Sequence, residues 1–526
     1  MSLGGLPRLI VTAALAYVIG NVVGGFLLIG LNLSGTPVTG GMRTAWQVGS
    51  GLVGVAVAAF LWRHRFGGEV PDVHGSAKFG GAKEQRELAS IEEGLIIGRS
   101  HRGDLMRYAG NSHLLSIAPT RSGKGVGAII PNLLMLRRSV LCIDPKGENA
   151  RITSRVRASY GAVFVLDPFE ISGVAGSCFN PLAELEPDSV DLAEDVAAVA
   201  DALVYDPPGQ VGEAHWNEEA KALIAGLILH VVTTAGPKQR NLATVRDLLT
   251  TTPQRFEQVL KTMQASLAAN DLVARAANRH LSKSDREAAG VLSAAQRHTH
   301  FLDSPRMTKV LSQSDFKLSD LQGELTTVFV VLPPDRLGTH ARWLRLLVVQ
   351  AINELARSSL GRNVPRHPVL LLLDEFAALG RLEPIERAFG LMAGYGVQLW
   401  AILQDMHQLR SLYGERAGTF LSNAGVTQIF NVSDIDTATW VSRTLGAETQ
   451  SYVTTGSTVS DAPGQWRANR SYSSNLNLTR RDLLTPDEVM RVSDDELLLL
   501  RPGALPLVAR KVRYFSDPEF SGLFDE

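Results

Sequence analysis

The stretch Ala118-Pro-Thr-Arg-Ser-Gly-Lys-Gly-Val-Gly127 follows a short apolar run, His113–Ala118 (HLLSIA), and opens a helical pattern over Lys124–Leu136. A glycine-rich turn between a strand and a helix is where a phosphate loop belongs. Backbone N–H groups cradle phosphate oxygens there, the helix N-terminus faces them, and a lysine reaches the outer phosphates. The nucleotide-binding candidates are Pro119, Thr120, Arg121, Ser122, Gly123, Lys124, Gly125 and Val126, with Lys124 as the charged arm. The strict pattern G-x-x-x-x-G-K-[ST] is broken at both ends. Ala118 stands for the first glycine, a mild steric change, and Gly125 stands where a hydroxyl would bind magnesium. Water, Thr120 or Ser122 are left to fill that position.

Working outward, six more short runs are nearly all apolar: Ser139–Ile143, Ala162–Leu166, Thr327–Leu332, Val369–Leu373, Gln398–Leu403 and Val426–Phe430. Such runs mark strands buried on both faces of a parallel sheet. The helical stretches between them are long enough for crossovers, so the fold class is α/β, with a P-loop nucleotide-binding domain. Val369–Leu373 runs straight into Asp374-Glu375. Two carboxylates at the end of a buried strand are costly unless used. Asp374 would hold Mg2+ through water, and Glu375 would polarise the attacking water. A strand leaving the core for a solvated turn looks the same, but the upstream phosphate loop favours the functional reading. Gln404, at the end of the next strand, is either a sensor of the γ-phosphate or a polar strand end. Asp144, in Ile143-Asp-Pro-Lys-Gly-Glu-Asn149, either supports the same site or caps a turn.

Hydrophobic residues make up 45% of the 526 and charged residues 20%, a globular balance. Lys+Arg is 52 against Asp+Glu 53, which excludes a uniformly basic nucleic-acid coat and leaves room for a local basic channel. Two cysteines, Cys142 and Cys178, exclude a disulfide scaffold and a structural zinc site, and fit a reduced compartment. With 6% aromatics, a surface built mainly on base stacking is disfavoured.

The apolar excess sits at the N-terminus. Leu9–Met42 carries no charge, Arg43 interrupts, and Thr44–Trp62 is uncharged again. At about 20 residues per crossing, the pattern predicts a membrane hairpin with spans near 10–31 and 44–62. A signal peptide would have a shorter apolar core and a cleavage site. Arg8 precedes the first span and Arg63, His64 and Arg65 follow the second, while the loop Asn32–Arg43 holds only Arg43. Positive charge stays inside, so both ends are expected in the cytoplasm. Gly20 with Gly24, and Ser50 with Gly54, are small-residue pairs that let helices approach.

The expected organisation is a transmembrane hairpin over 1–65, a nucleotide-binding domain over 66–182 and 323–526, and an all-α insertion over 183–322. Helices in the insertion are expected over Asp188–Leu203, Trp216–Thr233, Thr252–Ala269 and Ser284–Leu302. Arg275, Arg279, Lys283 and Arg286 fall mostly on one side at helical spacing, either a face for DNA or an acidic partner or a solvated face. Residues 66–112 read as a connector with one short helix near Ala82–Ile91, and Thr449–Asn477, rich in Ser, Thr, Asn and Gly, as a mobile loop.

The phosphate loop TRSGKGVG, followed by IIPNLL, SVLCIDPKGEN and LDEFAALGRLEPIERAFGLMAGYG, resembles the type IV coupling proteins. These are the TraG/TraD-type membrane ATPases of bacterial conjugation and type IV secretion. Also similar are His74-Gly-Ser-Ala77, His215-Trp-Asn217 and the segment Leu484-Thr-Pro-Asp-Glu-Val-Met490, so the resemblance covers nearly everything from about residue 70 onward. The family's loop commonly reads GKG, which accounts for Gly125. The resemblance implies a RecA-like motor domain with an inserted all-α domain, anchored in the bacterial inner membrane by several spans with both termini and the ATPase domain cytoplasmic. It implies ATP and Mg2+ as cofactors and a homo-hexamer. The implied partners are relaxase-bound single-stranded DNA, secreted protein substrates, the inner-membrane channel components and the channel's other ATPases. Carried over by residue, Lys124 matches the phosphate-loop lysine, Asp374 and Glu375 the acidic pair, and Gln404 the downstream sensor. The loop Asn32–Arg43 is shorter than the family often shows, so scaffold contact is expected through the spans. Ring ATPases draw an arginine from a neighbouring subunit, and Arg443, Arg387, Arg345 and Arg342 are the candidates. Two alternatives stand beside this reading. An FtsK-like double-stranded DNA translocase would carry more spans, a long linker and a C-terminal winged helix, none of which is evident. A non-hydrolytic membrane receptor would use the insertion to recruit substrate.

Overall fold

The apolar runs around the glycine-rich loop form the centre of an eleven-stranded sheet in the computed structural model, which describes residues 6–35, 39–66, 72–205, 214–360, 367–391, 395–460 and 469–525. The strands are β1 (Leu95–Arg99), β2 (Leu105–Tyr108), β3 (His113–Ile117), β4 (Val140–Asp144), β5 (Ala162–Leu166), β6 (Thr326–Val331), β7 (Val369–Leu373), β8 (Val397–Leu403) and β9 (Ala424–Phe430), then β10 (Ala447–Ser460), β11 (Asn469–Asp482), β12 (Glu496–Leu500) and β13 (Leu507–Arg510). The sheet runs β2-β1-β13-β12-β9-β3-β8-β7-β4-β6-β5. From β9 to β5 every pairing is parallel. The other end, β2-β1-β13-β12, is antiparallel and joins β9 antiparallel. The sheet is therefore mixed rather than parallel throughout.

Side chains alternate between the two faces of the sheet, as the period of a strand requires. Leu115, Ile117, Leu371 and Leu373 pack into one core, and Leu114, Leu370, Leu372 and Trp400 into the other. Burial on both faces explains why these strands have no polar alternation in sequence.

Between β5 and β6 the chain is helical. Its main helices span Leu192–Leu203, Ala214–Thr234, Leu242–Leu249, Pro253–Gln264, Leu272–Leu281 and Asp285–His298. Their apolar faces join the sheet's core: Val196, Leu203, Leu223 and Leu227 belong to the same buried cluster as Leu371 and Leu373. The segment is thus an insertion in sequence that shares the sheet's core.

Two contact-defined units divide the chain. One holds 77–446 and 482–526, with the sheet and the helices just described. The other holds 1–76 and 447–481. In that unit, α1 (Leu6–Leu33) and α2 (Gly40–Phe66) pack on each other, with the Tyr17 ring seated where a side chain on Gly51 would be. Val18, Val22, Phe26 and Ile29 of α1 are exposed. Among the described residues no helix is long and apolar enough to cross a membrane. Within the two expected spans, the side chains at 10–16, 47, 50, 54, 57–59 and 61–62 are outside the described set.

Three expectations are corrected. The stretch 66–112 carries two strands, β1 and β2, besides the helix Ala82–Ala89. The expected mobile loop Thr449–Asn477 instead forms the hairpin β10–β11, with residues 461–468 outside the described set. Its Thr, Tyr and Val suit a pleated backbone even where both faces are wet, and Asn477 Nδ2 donates to Thr454 Oγ1 across it at 2.7 Å. The helix after the phosphate loop opens as a π-turn, Gly125–Ile129, before regular helix at Ile130–Met135.

Candidate nucleotide site

The loop Ala118–Lys124 leaves the carboxyl end of β3, a strand paired on both sides. The Ala118 N–H donates to the Leu403 carbonyl at 2.7 Å, which fixes the start of the loop against the end of β8. A turn closes with Ser122 N–H on the Pro119 carbonyl at 3.2 Å. Arg121 (φ 63) and Gly123 (φ 88) are both left-handed. Alternating right- and left-handed residues turn successive amides to one side and make an anion-binding nest. Thr120 is exposed and Ser122 is buried. The Ser122 hydroxyl has no hydrogen-bond partner among the described residues. A buried hydroxyl left unpaired is costly, and a phosphate oxygen or a metal-bound water would satisfy it. Of the two hydroxyls named for the position missing at Gly125, Ser122 is the buried one and Thr120 the exposed one.

Strand order brings the acidic pair alongside. β8 lies between β3 and β7, so Gln404, Asp374 and Glu375 leave the sheet at the same edge as the loop. Lys124 Nζ lies 2.7 Å from Asp374 Oδ1 and 3.4 Å from Glu375 Oε1. Burial pulls the Lys124 pKa down, but the two carboxylates more than offset it and hold it above the usual lysine range. Burial raises the Asp374 carboxyl, opposed by Lys124. Glu375 adopts a left-handed backbone (φ 70), an unfavourable conformation for a side chain with a Cβ and one that clusters at functional sites. The Gln404 backbone N–H donates to Gln408 Oε1 at 2.9 Å, and Asp405 caps the helix Met406–Tyr413.

Asp144 follows the register of β4 to the same edge, one strand beyond Asp374. Its Oδ2 accepts from the Ala150 N–H at 2.8 Å, so it caps the first turn of the helix Glu148–Tyr160. Burial lifts its pKa to about 7.

The four arginines separate. Arg345 is buried, donates to the carbonyls of Ala202, Leu379 and Arg381, and lies 4.0 Å from the Tyr205 ring centroid. Arg342 donates to the Tyr205 carbonyl at 2.9 Å. Both tie the insertion to the sheet and drop out as donors to a neighbouring subunit. Arg387 and Arg443 are exposed. A cavity of about 980 Å3, lined by Asp201, Tyr205, Arg279, Arg381 and Arg387 among others, shares no residue with the phosphate loop.

The basic row of the insertion is partly spent. Arg279 and Lys283 both pair with Glu219 at 2.8 Å, and this pairing, with the Arg279 hydrogen bond foremost, holds Glu219 down at about 2. Arg275 and Arg286 remain exposed. Sequence reasoning missed Lys511, whose Nζ donates to the Ser122 carbonyl at 2.7 Å. It belongs to no motif, and only its basic charge would have signalled it.

A family model described as "Type IV secretory system Conjugative DNA transfer" matches residues 81–523. The chain belongs to that family. This coupling protein is 29% identical to the conjugal transfer protein TraG of Escherichia coli, over 90% of this chain and 81% of TraG. It is 30% identical to VirD4 of Agrobacterium fabrum, over 86% of this chain and 67% of VirD4. The plasmid coupling protein TrwB, solved with ADP and Mg2+, shares the fold at a TM-score of 0.61 and 16% identity, covering 87% of this chain and 99% of that one. The large mixed sheet with its glycine-rich loop accordingly has the fold of the coupling protein TrwB.

Proposed function

We propose that this coupling protein is an ATP-hydrolysing motor that passes relaxase-bound single-stranded DNA, protein substrates or both to a type IV secretion channel. The observation that carries the hydrolytic part is the meeting of Lys124 with Asp374 and Glu375 beside an amide nest. In this reading the backbone N–H groups of Thr120–Val126 and the Lys124 ammonium bind the phosphates, with Pro119 setting the turn at the start of the loop, and Lys124 exchanges Asp374 for phosphate oxygens when they arrive. Glu375 orients the attacking water and takes its proton. Gln404 reads the outer phosphate. Asp374, through water, and the Ser122 hydroxyl would hold Mg2+, which supplies charge stabilisation to the phosphates. TrwB with ADP and Mg2+ on the same fold supports this assignment. Arg387 or Arg443 of a neighbouring copy would complete the site in a homo-hexamer.

The relatives TraG and VirD4 support the coupling role and the choice of partners. We place α1 and α2 as the anchor in the bacterial inner membrane, with both termini and the motor cytoplasmic. The exposed apolar side chains of α1 and the charge pattern around the hairpin support this. The insertion, 183–322, is assigned cargo recognition through exposed charges such as Arg275 and Arg286. Phosphate release from ATP by the purified full chain tests the motor assignment. Wild type should turn over and Lys124→Ala should not; equal rates would overturn it.

A further inference from the structure

Lys511 lies just beyond β13, in the C-terminal segment, and reaches the phosphate loop from outside. Its ammonium donates to the Ser122 carbonyl at 2.7 Å and to Asn431 Oδ1, and lies 5.4 Å from the Phe430 ring centroid. Asn431 follows β9, the strand beside β3, and its Nδ2 donates to Asp494 Oδ1 at 2.8 Å. The Lys511 ammonium therefore joins the loop to the end of the neighbouring strand, and Asn431 carries the link on to the turn before β12. The segment is itself held in place. The Lys511 N–H donates to the Asp495 carbonyl at 2.7 Å, and the Val512 carbonyl lies 3.0 Å from where a Cβ on Gly127 would sit. Only glycine lets the helix turn come that close without displacing the backbone. Val512 and Phe520 are buried with Ile130 and Leu134 of the helix that follows the loop.

A trans peptide is planar, with C=O and N–H on opposite sides. Holding the Ser122 carbonyl toward Lys511 turns the Gly123 N–H away from it, and that amide is one of those in the phosphate nest. We propose that Lys511 is a positioning residue for the nucleotide: it presets the Ser122–Gly123 peptide so that the loop meets phosphate with its amide already oriented. Preorganisation of this kind strengthens binding by removing an ordering cost. The proposal rests on the nucleotide-site reading above. A purely structural brace would cost stability and leave affinity alone.

The test uses the full chain in detergent, with ADP and Mg2+ as the probe in calorimetry and ATP turnover in parallel. Lys511→Met keeps the aliphatic stem near Phe430 and removes the donors. It should weaken ADP binding about tenfold, about 1.4 kcal/mol. It should raise KM for ATP by a similar factor with kcat within about twofold, the pattern of lost uniform binding. Lys511→Arg, which keeps a donor, should stay within about threefold of wild type. If Lys511→Met does not fold, Asn431→Ala removes the ammonium's second anchor and should weaken ADP binding by about threefold. Wild-type affinity in Lys511→Met (or in Asn431→Ala where that variant carries the test), while Lys124→Ala loses binding, overturns the proposal and leaves the site reading intact. Wild-type protein that binds no ADP overturns both.

Discussion

Lys124 Nζ and Asp374 Oδ1, 250 residues apart in sequence, lie 2.7 Å from each other at the edge of the sheet. Each corrects the other's burial: Lys124 opposes the rise that burial imposes on Asp374, and Asp374 helps keep Lys124 protonated. Removing one member leaves a mostly buried charge without its partner. Lys124→Ala should therefore destabilise the nucleotide-free chain by about 1–3 kcal/mol, besides ending turnover. Adding Asp374→Asn should recover part of that loss, as coupled residues do in a double-mutant cycle. Denaturant midpoints of the four proteins check this, and strictly additive losses would contradict it.

Asp144 gives a pH prediction. Burial raises its pKa to about 7, with Asp374 adding to the rise and the Ala150 N–H opposing it. The unfolded chain releases this proton near 3.9. Between those values the native state binds the proton and the unfolded state does not, so the group's contribution falls as pH rises from about 4 to about 7. Asn keeps an acceptor for Ala150 without titrating. The melting temperature of Asp144→Asn minus that of wild type should become more positive from pH 5 to pH 8. A constant difference would show that Asp144 carries no such cost.

Much of this arrangement is legible in the sequence, for a physical reason. Strands buried on two faces must be apolar at every position, so β3, β7 and β8 announce themselves, and a charge at the end of such a run, as at Asp374, stands out. The remainder is hidden by the same logic. β1 contains Gly98, where its pairing with β2 is irregular, and reads as part of a connector. β10 and β11 have wet faces and polar side chains, so their composition mimics a loop. Arg345 and Arg387 are alike as letters; only packing shows that one is buried against Tyr205 and the other is free of that role. Lys511 acts through a backbone carbonyl, which leaves no motif at all.

The insertion shares a buried cluster with the sheet and packs on the helix Pro334–Leu360, so deleting 183–322 should expose part of that cluster and destabilise the sheet unit rather than isolate it. Charge reversal is the sharper probe. Arg275→Glu with Arg286→Glu should weaken cargo binding, more so at low salt, with ATP turnover and melting temperature near wild type. Glu219→Gln should instead lower stability, because Arg279 and Lys283 lose their shared partner. Unchanged cargo binding in the reversed protein would remove the insertion's assigned role.

Membrane topology is checked with reporters. A fusion after Arg65 should report a cytoplasmic position and one near Ser34–Thr36 a periplasmic one, as the positive residues flanking the hairpin dictate. The reverse pattern, or two cytoplasmic signals, would contradict the anchor.

The central claim is that hydrolysis of ATP depends on the carboxylate following Asp374. Glu375→Gln keeps the side chain's size and removes its basicity. ATP turnover by the full chain should fall at least about 100-fold, the scale of general-base catalysis, while ADP affinity stays within a few fold of wild type. Turnover within about twofold of wild type in Glu375→Gln would contradict the account, because the proton of the attacking water would then be going elsewhere.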